Sequence, residues 1–452
     1  MLQVPFSRQS LILLVCILFL FSCVGVVTGY EEKTGWAWYK KYASDQPLSA
    51  SDVQQTQDGG FILAGHYSHS VGSAPLKGDA PGGSIWGALI IKTDAQGNPE
   101  WSRQIDYRTI YYFGSVRPSA DGGYLFATFK TSLAYSIIKT DQKGNFLWDV
   151  PLKEEVSNVL ATPDGGCIYT EGRELFIEAF NVGKLDTNGV AQWSRTYRKP
   201  YTFHLRSVVL SSDGGFLVGL SASDKIEIIK FDAAGQEQWN RVYDFLDLFT
   251  FRETTGGGYS VAYKKYDAKT YEFFIGVAHL DSKGNLEWAH DSMGNAGNFN
   301  PNADTVQPTL DGGFLFLRGD GLLKINRDGN IDWAWAFHEN AEVEQSLRGK
   351  KVWRYLVAVQ QIADGGYILA GEYDVLSPDK SKCDAFFCEY IVENADAWLM
   401  KIDKASNPSP RTETSDRVFL ASGTPMGIPG FGMFLSFLGG VIALIHWKRT
   451  NM

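Results

Sequence analysis

Apolar residues in this chain fall in short runs, and glycine turns cut the runs at regular intervals. The stretch from 207 to 243 shows the unit. Ser207-Val208-Val209-Leu210 is followed by the turn Asp213-Gly214-Gly215, and Phe216-Leu217-Val218-Gly219 comes next. Ile226 to Asp232 is a third run, Ala233-Ala234-Gly235 turns the chain, and Gln238 to Tyr243 is a fourth. Such β-rich runs bounded by Gly turns predict four strands per unit. The same Asp-Gly-Gly triplet recurs at Asp58, Asp121, Asp164, Asp311 and Asp364, with Gly256-Gly257-Gly258 in the corresponding place. Tryptophans keep step with it at Trp38, Trp101, Trp148, Trp193, Trp239, Trp288 and Trp333.

A repeat of about fifty residues built from strands predicts radially repeated sheet. The fold class expected is all-β: a seven-bladed β-propeller of four-stranded blades over residues 30–403. The phase of the repeat says how the ring closes. The last unit has runs at Val357–Ile362, Gly366–Gly371 and Ala397–Asp403 but no Trp strand after them. Trp38-Tyr39-Lys40-Lys41-Tyr42 is a Trp strand with no three before it, and it aligns with Trp193-Ser194-Arg195-Thr196-Tyr197. The N-terminal strand is therefore expected to complete the seventh blade, which pairs edges that would otherwise be exposed.

Turn chemistry explains the constant residues. Gly supplies positive φ without steric cost, and Asp hydrogen-bonds its own turn backbone. The second turn of each unit, as at Asp94-Ala95-Gln96-Gly97-Asn98, superficially suggests a calcium loop but lacks the further carboxylates and distal Glu. These segments are read as hairpin turns. The Trp is read as structural, a large ring covering the gap between neighbouring blades. This turn-then-Trp strand resembles the tryptophan-docking repeat of quinoprotein-like propellers. The resemblance stops at the repeat, because the adjacent Cys pair and eight-blade count of quinone-dependent dehydrogenases are missing. No cofactor is expected.

Both ends carry export information. Arg8 precedes an apolar run from Leu11 to Val27, followed by Thr28 and Gly29, which predicts a signal peptide over 1–29. An uncleaved anchor is one alternative. Lipidation at Cys23 is another, since Leu20-Phe21-Ser22-Cys23 resembles a lipoprotein processing box, with Phe21 a departure from it. At the other end, residues 404–428 read as a linker. Pro429-Gly430-Phe431-Gly432 opens an apolar stretch to Trp447, closed by Lys448-Arg449. About seventeen residues at a rise of 1.5 Å give roughly 25 Å, enough for a transmembrane helix, with the basic pair on the cytoplasmic side. Residues 429–452 resemble the archaeal PGF-CTERM surface-sorting signal, except that the usual long Thr-rich spacer is replaced by a short mixed one. The resemblance implies that an archaeosortase-like processing enzyme recognises Pro429, Gly430 and Phe431 and transfers the protein to a lipid anchor. A plain C-terminal membrane helix is the alternative. Either way the propeller is expected outside the cell, attached to the membrane through its C-terminal anchor.

The net charge of -9 offers no basic stripe for phosphates, which argues against nucleic acid. Of the cysteines outside the leader, Cys383 and Cys388 are close in sequence and form a possible disulfide in an oxidising exterior. Cys167 stands where other repeats have Phe or Tyr and reads as an apolar filler. Phosphate-binding loops, a nucleophile elbow and a zinc-protease helix are all missing.

Length variation points to one face. The Asp-Gly-Gly and Asp-x-x-Gly turns share a face and are tight. The insertions His66–Ile85, Lys264–Tyr271, Ala289–Asp304, Ala334–Leu356 and Glu372–Ala395 share the other, in blades 5, 6, 7 and 1. Loops on a rigid scaffold are where function concentrates. Candidate binding residues are Trp335, His338, Glu339, Glu342, Trp353, Arg354 and Tyr355, a mixture of rings, carboxylates and Arg suited to sugar or peptide, and equally to a solvated rim. His66 and His69 would point to opposite sides of an extended strand, so no metal site is expected. The expected function is a cell-surface binding module for adhesion, envelope assembly, or capture of a polysaccharide or protein ligand. The alternatives are a polysaccharide hydrolase or lyase using Glu339 and Glu342 in the same sector, and a purely architectural component of the surface layer.

Overall fold

The computed structural model describes residues 37–43, 48–70, 84–105, 110, 112–130, 134–172, 177–269, 271–293, 306–318, 321–336, 351–383, 388–403 and 416–419. Every regular element among them is a strand. After β1 (Trp38–Ala43), sheet 1 is β2 (Leu48–Gln55), β3 (Phe61–Ser70), β4 (Ser84–Thr93) and β5 (Pro99–Ile105). Sheet 2 is β6 (Tyr112–Pro118), β7 (Tyr124–Lys130), β8 (Ala134–Thr140) and β9 (Phe146–Leu152). Sheet 3 is β10 (Val156–Ala161), β11 (Cys167–Glu171), β12 (Ile177–Leu185) and the first part of β13 (Ala191–Leu210). Sheet 4 takes the second part of β13, then β14 (Phe216–Ala222), β15 (Lys225–Phe231) and β16 (Glu237–Tyr243). Sheet 5 is β17 (Asp247–Glu253), β18 (Tyr259–Asp267), β19 (Glu272–Leu280) and β20 (Leu286–Met293). Sheet 6 is β21 (Val306–Pro308), β22 (Phe314–Arg318), β23 (Gly321–Ile325) and β24 (Ile331–Ala336). Sheet 7 is β25 (Lys351–Gln361), β26 (Tyr367–Cys383) and β27 (Cys388–Ile402), followed by β1 and then β28 (Asp416–Phe419).

The fold is thus all-β, made of repeated four-stranded antiparallel sheets, and it is compatible with a β-propeller. Two details differ from the sequence reading. Sheets 3 and 4 are continuous, because one 20-residue strand, β13, pairs β12 through Ala191–Arg198 and β14 through His204–Leu210. The segment read as a linker contains β28, which lies parallel to β1 with Lys40 opposite Asp416 and Tyr42 opposite Val418. A short polar stretch without strong alternation gave no signal for that strand.

The N-terminal strand sits where the phase of the repeat places it. Trp38 lies opposite Lys401 and Tyr42 opposite Ala397, so β1 is the fourth strand of sheet 7. The first strands of the sheets touch in a closed circle: β2 meets β6, β6 meets β10, β10 meets β13, β13 meets β17, β17 meets β21, β21 meets β25, and β25 meets β2.

The core is divided in the same way. One apolar cluster fills each junction between neighbouring sheets. At the junction of sheets 7 and 1, for example, Ile368, Ala370 and Leu399 pack with Leu48, Val53 and Leu63. Alternate residues of the central strands serve opposite junctions: Leu217 packs toward sheet 5 while Phe216 and Val218 pack toward sheet 3. Both faces of these strands are therefore buried. That is why they read as continuous apolar runs rather than as alternating ones.

Candidate functional site

The face bearing the tight turns is built from two repeated bonds. The first is a tryptophan dock. The six-membered ring of Trp38 lies so close to Gly97 that a Cβ there would stand 2.6 Å from it, and Gly97 has φ of 76°. Trp101 meets Gly144, Trp148 meets Gly189, Trp193 meets Gly235 and Trp239 meets Gly284 in the same manner. Each Trp belongs to one sheet and each Gly to the next, so the ring spans the junction as its size suggests. In three of these docks, at Tyr42, Tyr197 and Tyr243, a tyrosine four residues later adds a hydrogen bond to the glycine carbonyl. Tyr42 donates to the Gly97 carbonyl at 2.8 Å and Tyr243 to the Gly284 carbonyl at 2.6 Å. Where a repeat has Cys167 in place of the aromatic, Trp148 packs against the apolar cluster that contains that cysteine, whose buried thiol is pushed up to about 12 by desolvation.

The second bond joins the Lys of each Lys-x-Asp run to the Asp of the Asp-Gly-Gly turn. Lys230 Nζ lies 2.7 Å from Asp213 Oδ1, Lys324 Nζ 2.8 Å from Asp311 Oδ2, and Lys92 Nζ 2.8 Å from Asp58 Oδ2. Lys139 with Asp121, Lys184 with Asp164, and Lys401 with Asp364 complete the set. Four of these ammonium groups, on Lys92, Lys139, Lys230 and Lys324, are fully buried, whereas the carboxylates stay half exposed. A buried cation needs its partner, so these Asp residues are structural. Asp164 shows the effect on titration: hydrogen bonds from Lys184 and Thr162 hold its carboxyl at about 2.

Sheet 5 breaks both patterns at once. Its turn carries Gly256 in place of the Asp, and β19 carries His279 in place of the Lys. Loss of the anion and the cation together leaves no buried charge unmatched. His279 Nδ1 lies 2.9 Å from Glu287 Oε2, and its ring stacks on Trp288 with centroids 5.9 Å apart. Trp288 is 36% exposed, and it is His290, not this Trp, that lies against Gly329 of sheet 6. The sequence signal for this departure was the degenerate triplet.

On the opposite face, two of the expected insertions contain paired strand where the structure describes them. His66–Ile85 and Glu372–Ala395 were expected as insertions. Instead β3 and β4 stay paired out to Ser70 opposite Ser84, and β26 and β27 out to Cys383 opposite Cys388. His66 and His69 both lie on β3, an odd number of positions apart, and so on opposite faces. Burial pushes the His66 imidazole down to about 4.

The candidate binding residues are distributed as follows. Trp335 is on β24 opposite Leu322. Trp353, Arg354 and Tyr355 are on β25 rather than in a loop, opposite Asp374, Tyr373 and Glu372. That places them at the base of the sheet 7 ribbon, where the Ser49 hydroxyl of the neighbouring sheet 1 donates to Glu372 at 2.7 Å. His338, Glu339 and Glu342 lie outside the described residues, as do the leader, Cys23, Pro429, Gly430, Phe431 and the apolar segment after them. Among the described residues no helix is long and apolar enough to cross a membrane, and no group of three metal-ligating side chains occurs.

Sequence reasoning missed the wall of the inner circle. Asp52 of β2 accepts from the Val116 amide at 3.0 Å and pairs with Arg117 at 2.5 Å, both on β6. Gln360 of β25 donates to Gln54 at 2.9 Å, and Arg206 pairs with Asp247 at 2.8 Å. Polar side chains thus tie inner strand to inner strand. Their signal was the run of Asp, Gln and Arg just ahead of the turns.

No family model matches the chain, and no curated protein matches it. Solved structures similar to it include a protein of unknown function from Bacteroides caccae, 15% identical over 60% of this chain and 93% of that one, with a TM-score of 0.37. Sqt1 from Chaetomium thermophilum is 11% identical over 80% and 98%, with a TM-score of 0.44. A functionally unknown protein from Desulfotomaculum acetoxidans is 11% identical over 64% and 90%, with a TM-score of 0.43. Likenesses this distant carry nothing about activity.

Proposed function

We propose that this chain is a seven-bladed β-propeller, exported and held at the cell surface by its C-terminal segment, and that it works there as a binding module. The observation that carries the reading is the pair of ribbons on the face away from the tight turns. They rise from sheets 1 and 7, which are neighbours in the circle of contacts. On the turn face, side chains are absorbed in docks and clamps. On the ribbon face, two strand pairs extend past the strands of the repeat, and such extensions on a scaffold suit recognition of another molecule. Trp353, Arg354 and Tyr355 lie on β25 at the base of the sheet 7 ribbon, and Trp, Tyr and Arg are the residue types that dominate binding hot spots. The apolar segment between Pro429 and Trp447, followed by Lys448 and Arg449, supports the surface anchor.

A thermal-shift panel of envelope polysaccharide fragments and envelope proteins tests the reading. A ligand that binds only the native state raises stability by about 2.7 kcal/mol at a hundredfold excess over its dissociation constant. The expected result is a saturable shift lost on replacing Trp353 and Arg354 by Ala. No shift across the panel would move the assignment to an architectural component. Turnover of a polysaccharide abolished by Glu339→Gln or Glu342→Gln would move it to a hydrolase or lyase.

A further inference from the structure

In six sheets a carboxylate occupies one repeated cradle on the turn face. Sheet 6 shows the full set of donors. Asp311 accepts from the Gly313 amide at 3.1 Å and the Thr309 hydroxyl at 2.6 Å, and Lys324 Nζ approaches at 2.8 Å. The side chains so held are 40% exposed at Asp121 and 57% at Asp58, so the cradle opens to solvent.

Sheet 5 keeps the cradle, but the sequence supplies no carboxylate for it. The turn has the same backbone bonds as the others, Thr254 N to Gly258 O at 2.8 Å and Gly257 N to Thr254 O at 3.0 Å. Thr254 and the Gly258 amide stand where Thr309 and the Gly313 amide stand in sheet 6, and neither hydrogen-bonds a side chain among the described residues. His279 takes the place of the lysine. Its Cε1 lies 3.1 Å from where a Cβ on Gly258 would be, and Nζ of Lys92, Lys230 and Lys324 lies 2.8, 2.7 and 2.7 Å from the equivalent points. A Cβ at Gly256 would meet nothing within 4 Å, so there is room for the missing group. Beside it stands Trp288, exposed and stacked on the same His279.

We propose that this cradle binds the carboxylate of a uronic acid residue in a polysaccharide. The carboxylate accepts from the Gly258 amide, the Thr254 hydroxyl and a ring N–H of His279, in the place that the chain's own Asp takes elsewhere. Charge-assisted bonds of this kind are the strong ones. The indole of Trp288 offers a flat apolar surface to the C–H face of the sugar ring. Glu287 holds the imidazole through Nδ1, which leaves Nε2 as the ring nitrogen available to a bound group. The exposed ring beside the cradle favours a sugar over an acidic peptide, which has no ring to lay on it. The site is on the turn face, so it does not depend on the ribbons. It deepens the proposed function by naming a polysaccharide chemistry.

The test is calorimetric titration of the full chain in detergent with glucuronate, glucose, acetate and a Glu-containing peptide at matched ionic strength. Glucuronate is expected to bind saturably, acetate more weakly and glucose not at all. Gly256→Asp, which places the chain's own carboxylate in the cradle, is expected to abolish binding with the melting temperature kept or raised. Trp288→Ala is expected to reduce glucuronate to the level of acetate. Absence of glucuronate binding, or equal binding by Gly256→Asp, would overturn the proposal. A peptide that matches glucuronate and is lost in Gly256→Asp would overturn the sugar assignment. None of these variants touches Trp353 or Arg354, so the ribbon reading stands or falls separately.

Discussion

Tyr42 donates its hydroxyl to the carbonyl of Gly97 across 2.8 Å, which ties the N-terminal strand of sheet 7 to the second turn of sheet 1. The phenol is fully buried, and Trp38 presses on the same glycine from the same strand. Removing the hydroxyl leaves the carbonyl without that donor. Tyr42→Phe is therefore expected to lower stability by about 1–2 kcal/mol, and Trp38→Ala by about 3 kcal/mol or more through lost packing. Denaturant unfolding of the two variants measures both.

The docks and the first turns make opposite demands on glycine. Gly97 and Gly59 both have positive φ, 76° and 82°, but only Gly97 lies against a ring. Gly59→Ala is expected to cost about 1–2 kcal/mol from backbone strain alone. Gly97→Ala should cost clearly more, because Trp38 must move. Equal losses in a melting comparison would sink the docking role.

The Lys–Asp clamps are expected to be coupled. Asp213→Ala leaves Lys230 buried without its carboxylate, a loss of about 2–4 kcal/mol after allowing for the half-exposed Asp. Lys230→Met combined with Asp213→Ala should restore much of it, since sheet 5 likewise lacks both charges, with Gly256 and His279 in their places. A double-mutant cycle reads the coupling directly; additive losses would contradict it.

Burial of His66 sets an acid-side dependence. Its folded value, about 4, lies below the ordinary histidine range, so the unfolded chain binds the extra proton more readily. Stability from this group is complete above about pH 6.5 and is lost as pH falls toward 4. His66→Gln should flatten the fall in melting temperature between pH 7 and pH 5. An unchanged slope would refute this assignment.

Much of the fold was legible because the repeat states itself in turn chemistry. The six Asp-Gly-Gly triplets mark the first-to-second hairpins, and the Trp after each later turn marks the fourth strand, including the one at Trp38 that belongs to the far end of the chain. The ribbons were less legible. Past His66 and Glu372 the sequence loses its continuous apolar runs, so the paired ends of β3, β4, β26 and β27 gave little strand signal. The sheet 5 cradle could be read only after the other sheets had shown what Asp, Thr, Gly and Lys do together. The triplet without its Asp was visible from the start, but the histidine at 279 gains meaning only from the position of Lys324 and its counterparts.

The most direct measurement is hydrogen exchange on the amides of Trp38 to Tyr42. If β1 is the fourth strand of sheet 7 and closes the circle, these amides are expected to be protected as strongly as those of Ala397 to Lys401, their cross-strand partners. Exchange at the rate of an unstructured tail, with β27 still protected, would contradict closure by the N-terminal strand.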